Sequence, residues 1–68
     1  MLSFDRYIGY TVELIYMDGL ERITQRMVVV QKVRGDVLDV YCLQRRQPRR
    51  LRLDRILSVR KVGDRRIS

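Results

Sequence analysis

The chain has no histidine, no tryptophan and no alanine, and holds one cysteine and one proline among its 68 residues. Without histidine it cannot assemble a Ser-His-Asp triad, and Cys42 by itself makes neither an intramolecular disulfide nor a Cys/His zinc site. No apolar run approaches the roughly 18 residues of a membrane span. The opening Met1-Leu2-Ser3-Phe4-Asp5-Arg6 lacks the apolar stretch of a signal peptide, which places the chain in the cytoplasm and off the membrane. Alanine, the best helix former, is replaced by nine valines and five isoleucines, whose branched side chains favour strands. The expectation is an all-β protein that is not an enzyme and uses neither cofactor nor metal.

The length allows one domain, residues 1–68. A chain this short buries only about 60% of the surface it exposes when unfolded, and one core of that size rarely supplies more than about 3–5 kcal/mol. It has no room for a cleft between domains, and it gains from pairing with a second copy, so a homodimer is expected.

Thirteen Arg and two Lys face six Asp and two Glu, a net charge of +7. The excess is concentrated. Residues 1–43 carry a net of −1, whereas residues 44–68 carry ten basic against two acidic side chains, a net of +8. Such a segment attracts nucleic acid or an anionic small ligand, or else keeps the domain soluble. The preference for Arg leans toward recognition, because the guanidinium fork pairs bidentately with phosphate and stacks on bases.

Tyr10 to Met17 alternates, with Tyr10, Val12, Leu14 and Tyr16 on one face, and reads as a strand. Asp18-Gly19 then predicts a tight type I′ reversal. The next strand, Leu20 to Val33, loses its alternation at Met27-Val28-Val29-Val30, where a bend or bulge would carry it round a small barrel. Arg34-Gly35-Asp36 is a turn, and Gly35 supplies the positive φ. A third strand, Val37 to about Gln44, turns Leu38, Val40 and Cys42 to one face and Asp39 and Tyr41 to the other. Arg45 to Arg49 is a basic loop in which Pro48, having no N–H, ends the ladder. Arg50-Leu51-Arg52-Leu53 alternates again, sending Arg50 and Arg52 outward and the leucines in. Asp54-Arg55-Ile56 is a single helical turn capped by Asp54, followed by a short last strand, Leu57 to Val62, and a frayed tail, 63–68. These elements predict a five-stranded barrel of the SH3-like or Sm-like type with one helical turn before the last strand. Residues 1–9 are ambiguous, and there is no internal repeat.

The run from Tyr41 through Arg45-Arg46-Gln47-Pro48-Arg49 to Arg52-Leu53-Asp54-Arg55-Ile56 resembles the C-terminal half of a WYL domain: a strand ending in Tyr, a basic loop, then Arg-x-Phe-Arg-Leu-Asp-Arg-Ile. Leu51 stands in place of the Phe. Ile15-Tyr16, Asp18-Gly19 and Arg26 resemble that family's first hairpin, so the similarity spans about residues 10–62. The Trp-Tyr-Leu triplet that names the family falls on Asp36-Val37-Leu38, where only the Leu is kept, and the Pro of the second strand is absent. The resemblance implies a bare WYL-like barrel related to bacterial transcription regulators and phage-defence accessory proteins, one that binds nucleic acid or a nucleotide-like ligand through basic side chains. By position it implicates Arg49, Arg52 and Arg55, with Arg26 beside them.

Strand alternation adds Arg50, since two outward guanidinium groups two residues apart can meet successive phosphates or enclose one anion. Tyr41, on the less apolar face, either stacks a base or fills a groove beside Leu43. Arg55 either joins this set or ties down the helical turn through Asp54. Arg45 and Arg46 read as loop solvation, and Cys42 as a buried, inert thiol. The functional expectation is a regulatory module for nucleic acid, single-stranded DNA or RNA before duplex, or for an anionic nucleotide. The alternative is a protein-interaction or oligomerisation barrel whose charge serves solubility.

Overall fold

A computed structural model describes residues 4–66. Five strands, β1 (Tyr10–Met17), β2 (Ile23–Arg34), β3 (Val37–Cys42), β4 (Gln47–Arg52) and β5 (Ile56–Arg66), form one antiparallel sheet in the order β4-β3-β2-β1-β5. The all-β expectation holds. One 3-10 turn, Phe4–Tyr7, precedes β1, and a second, Leu53–Arg55, joins the two edge strands.

The inner face carries the buried apolar residues of every strand. Val12, Leu14, Val28, Val30, Leu38 and Val40 are completely or almost completely buried, and Cys42, Leu51, Tyr16 and Ile56 complete the core. A flat sheet with a single short turn against it could not enclose so many side chains, so the sheet coils on itself. The coil is visible in a hydrogen bond between strands that are not sheet neighbours: the Arg52 N–H on β4 donates to the Tyr16 hydroxyl on β1 at 3.3 Å. Phe4 is buried against the core at one end, and the Gly9 N–H donates to the Val30 carbonyl at 2.8 Å to hold the N-terminal turn on β2. Cys42 is free and buried, as its inward position requires.

Several local expectations are corrected. Asp18-Gly19 does not form a two-residue reversal. The loop runs over five residues because the Asp18 carboxylate accepts the N–H groups of both Leu20 and Arg22 at 2.9 Å, and Glu21, not Gly19, takes the positive φ of 61°. The irregularity in β2 lies between Val30 and Lys32, slightly beyond the stretch where alternation breaks in the sequence. Gly35 has φ 58° in a two-residue turn, as its position demands. β3 ends at Cys42, and Pro48 opens no loop: it sits in β4 opposite Tyr41. Proline is tolerated there because β4 is an edge strand with only one neighbour to satisfy. The second 3-10 turn lacks a side-chain cap, since Asp54 pairs with Arg52 instead. β5 runs on to Arg66, which lies opposite Tyr10, so the segment expected to fray from residue 63 is strand as far as 66; β1 still offers a partner edge there. Ile67 and Ser68 lie outside the described residues.

Candidate nucleic-acid interface

Register determines what the outer face of β2-β3-β4 displays. Paired residues share a face, so three ranks cross these strands: Val29, Tyr41 and Pro48; then Lys32, Asp39 and Arg50; then Arg34, Val37 and Arg52. Successive ranks are two residues apart along β3 and β4, about 6.6 Å, and the β2 irregularity adds a residue between Val29 and Lys32. An apolar rank with a tyrosine at its centre therefore borders a rank of two cations and one carboxylate, and Arg34 and Arg52 follow in the rank beyond it.

Asp39 sits among those cations. Its Oδ2 accepts from Arg34 Nη2 at 2.9 Å, and its Oδ1 lies 3.9 Å from Arg50 Nε, too far for a hydrogen bond, and is buried without a partner. Arg52 forks onto Asp54 through Nε at 3.2 Å and Nη2 at 3.1 Å. Both arginines are well exposed, and exposed pairs of this kind contribute about 0–1 kcal/mol. They can therefore exchange a carboxylate for an incoming phosphate at little cost.

Two depressions mark this face. One, of about 310 Å³, is lined by Gln31, Arg34, Asp39, Pro48, Arg49 and Arg50. The other, of about 510 Å³, is lined by Ile8, Gly9, Val29, Gln31, Tyr41 and Leu43. Gln31, at the β2 irregularity, lines both.

Of the residues singled out from the sequence, Arg49, Arg50, Arg52 and Tyr41 come together on or beside this face. Arg49 alternates with Leu51 toward the inside, yet it lies on an edge strand, is half-buried and lines the first depression. Arg26 and Arg55 are engaged elsewhere. Arg26 lies on the inner face opposite Leu14, with its guanidinium 5.7 Å from the Tyr16 ring centroid in a cation–π contact. Arg55 Nη1 donates to the Asp18 carbonyl at 3.1 Å, fastening the 3-10 turn to the β1-β2 loop. Its partner is a backbone carbonyl and not the neighbouring Asp54.

Lys32, Arg34 and Gln31 were invisible to a count of charge along the chain, because the half containing them is net acidic. The signal lay in the Gly35 turn, which folds Arg34 back opposite Val37 and into line with Arg52. Among the described residues no group of three or more Cys, Asp or Glu side chains could hold a metal ion, and no helix is long and apolar enough to cross a membrane.

No family model matches the sequence, and no curated protein is similar to it at a significant level. Among solved structures, the chain is similar to proteasome accessory factor B/C (PafBC) of Arthrobacter aurescens, with a TM-score of 0.75 and 28% identity over 88% of this chain. It spans 10% of that protein's length. The similarity supports a WYL-related fold.

Proposed function

We propose that the protein is a non-enzymatic regulatory module of the cytoplasm that binds nucleic acid, or an anionic nucleotide-like ligand, on the outer face of β2-β3-β4. The observation that carries this reading is the adjacency of the Val29/Tyr41/Pro48 rank to the cations Lys32 and Arg50, with Arg34 and Arg52 in the next rank beyond. Aromatic platforms beside a basic track are how proteins hold unpaired bases and their phosphates, and stacking tolerates any base because each has a π-face. The likeness to an accessory factor supports a regulatory role.

The reading is tested by affinity against salt. Contact with about four phosphates of a single strand gives a slope of log K on log salt of roughly −3, at about 0.7 per phosphate. Replacing Arg50 and Arg52 with Gln flattens that slope and weakens binding to all sequences alike. Replacing Arg22 and Arg60, which pair with Asp18 and Glu13 instead, removes the same charge and leaves the slope nearly unchanged. Equal loss in the two double variants would reduce the attraction to nonspecific charge. Absence of any oligonucleotide binding at low salt would leave the alternative, a barrel that binds a protein partner through its open β5 edge.

A further inference from the structure

We propose that the two depressions that share Gln31 form one site for a nucleoside carrying a single terminal phosphate, with the base against Tyr41 and Leu43 and the phosphate among Arg34, Arg49 and Arg50. This rests on the binding face argued above and narrows it from an open track to a site with two ends. Each depression has a volume within the roughly 300–1,000 Å³ usual for small-ligand sites. Their chemistry is unlike. The larger is walled by Ile8, Val29, Tyr41 and Leu43, with Gln31 as its one side-chain amide, whereas the smaller holds three arginines and a carboxylate.

Charge fixes how much phosphate fits. Arg34 and Arg50 on Asp39, with Arg49 lining the same depression from the edge of β4, give the lining a formal excess of +2, which matches one phosphomonoester at about −1.5 to −2 near neutral pH. A triphosphate brings more charge than the depression neutralises and meets the Asp39 carboxylate. Asp39 is thus the residue that limits the site to one phosphate. Its contact with Arg50 is loose, 3.9 Å, so Arg50 is free to turn to a ligand while Arg34 remains held at 2.9 Å. Gln31, which lines both depressions, offers one donor and one acceptor to a base edge.

The experiment is calorimetric titration of the full chain with the four nucleoside 5′-monophosphates, the parent nucleosides, a nucleoside triphosphate and inorganic phosphate. The expected result is that monophosphates bind at least about tenfold more tightly than either nucleosides or phosphate, since both ends contribute. Tyr41→Ala should weaken the monophosphates roughly 5- to 150-fold, the range of one base–aromatic stack, and leave inorganic phosphate unchanged. Leu43→Glu, at a partly exposed position outside the buried core, should do the same. Arg50→Gln should weaken both ligands, and Asp39→Asn should shift preference toward the triphosphate. A 5′-phosphorylated oligonucleotide compared with its 5′-hydroxyl form shows whether the terminal phosphate belongs to a free nucleotide or to a strand end.

If monophosphates bind no better than inorganic phosphate, or if Tyr41→Ala and Leu43→Glu leave them untouched while oligonucleotides still bind with the steep salt slope, the two-ended site is wrong and the open binding face stands. If oligonucleotides fail to bind as well, both readings fall.

Discussion

The Tyr16 hydroxyl accepts the Arg52 backbone N–H at 3.3 Å, joining β1 to β4, two strands separated by β2 and β3 in the sheet. Tyr16 is buried, so its ring fills the core while its one polar atom meets a donor of the edge strand. The contact closes what the backbone ladder leaves open. The Arg52 side chain leaves the same residue toward the outer face, where it pairs with Asp54. The core and the candidate binding face therefore share a residue.

Tyr16→Phe keeps the ring and removes the acceptor. Losing one part-buried hydrogen bond should cost about 0.5–1.5 kcal/mol. In urea unfolding the midpoint should fall while the slope m stays the same, because the surface exposed on unfolding does not change. A midpoint equal to the parent's would mean that packing alone closes the barrel.

Gly19 and Gly35, in the turns that join β1 to β2 and β2 to β3, should respond oppositely to alanine. Gly35 has φ 58° with open space where a Cβ would stand, so Gly35→Ala meets no neighbour and bears only the left-handed backbone penalty, roughly 1–2 kcal/mol. Gly19 has no positive φ and equally open surroundings, so Gly19→Ala should be neutral or gain about 0.4–1 kcal/mol by restricting the unfolded chain. Thermal unfolding of both variants checks the pair, and destabilisation of equal size would contradict it.

The strands and the core were largely legible because alternation is a local signal. Val12 and Leu14, Leu38 and Val40, and the outward Arg50 and Arg52 all occupy the faces that their spacing assigns. What the pattern missed depended on competing side-chain chemistry or on tertiary pairing. Asp18-Gly19 carries the signature of a two-residue reversal, yet the Asp18 carboxylate captures two N–H groups and lengthens the loop. Pro48 reads as a stop until β4 is known to be an edge. Arg55 and Arg26 share their residue type with the surface arginines, but a backbone carbonyl and a tyrosine ring claim them. Arg34 and Lys32 join the basic face only through the register of β2 on β3, which a charge count cannot contain.

Asp18 should make the first hairpin sensitive to acid. The Arg22 N–H donated to its carboxylate, with further help from the Leu20 N–H and the Arg22 charge, holds its pKa below the ordinary 3.8 despite some opposing desolvation. A carboxylate with a lowered pKa in the folded state stabilises it above the unfolded value and loses that contribution as pH falls through the folded value. The window therefore lies below 3.8. The amide resonances of Leu20 and Arg22 should titrate together there, and Asp18→Asn should abolish that titration. A midpoint at or above 3.8 would show that these hydrogen bonds do not favour the ionised form.

Self-association should use β5 and not β4. Both are edge strands, but β4 has six residues and carries Pro48, Arg49, Arg50 and Arg52, the features by which natural sheets discourage pairing. β5 runs for eleven residues with one edge open and leaves Leu57 and Val62 about half exposed. A 68-residue core gains from covering such an edge, since so little of its surface is buried within one chain. Sedimentation at micromolar concentration should show a species of twice the 8.2 kDa chain mass. Leu57→Lys with Val62→Lys places like charges along the edge and should return the monomer while the strand signal in circular dichroism is kept. If the parent sediments only as the 8.2 kDa species at high concentration, the β5 edge is not a self-association surface. A dimer that survives the double substitution would move the interface to another face.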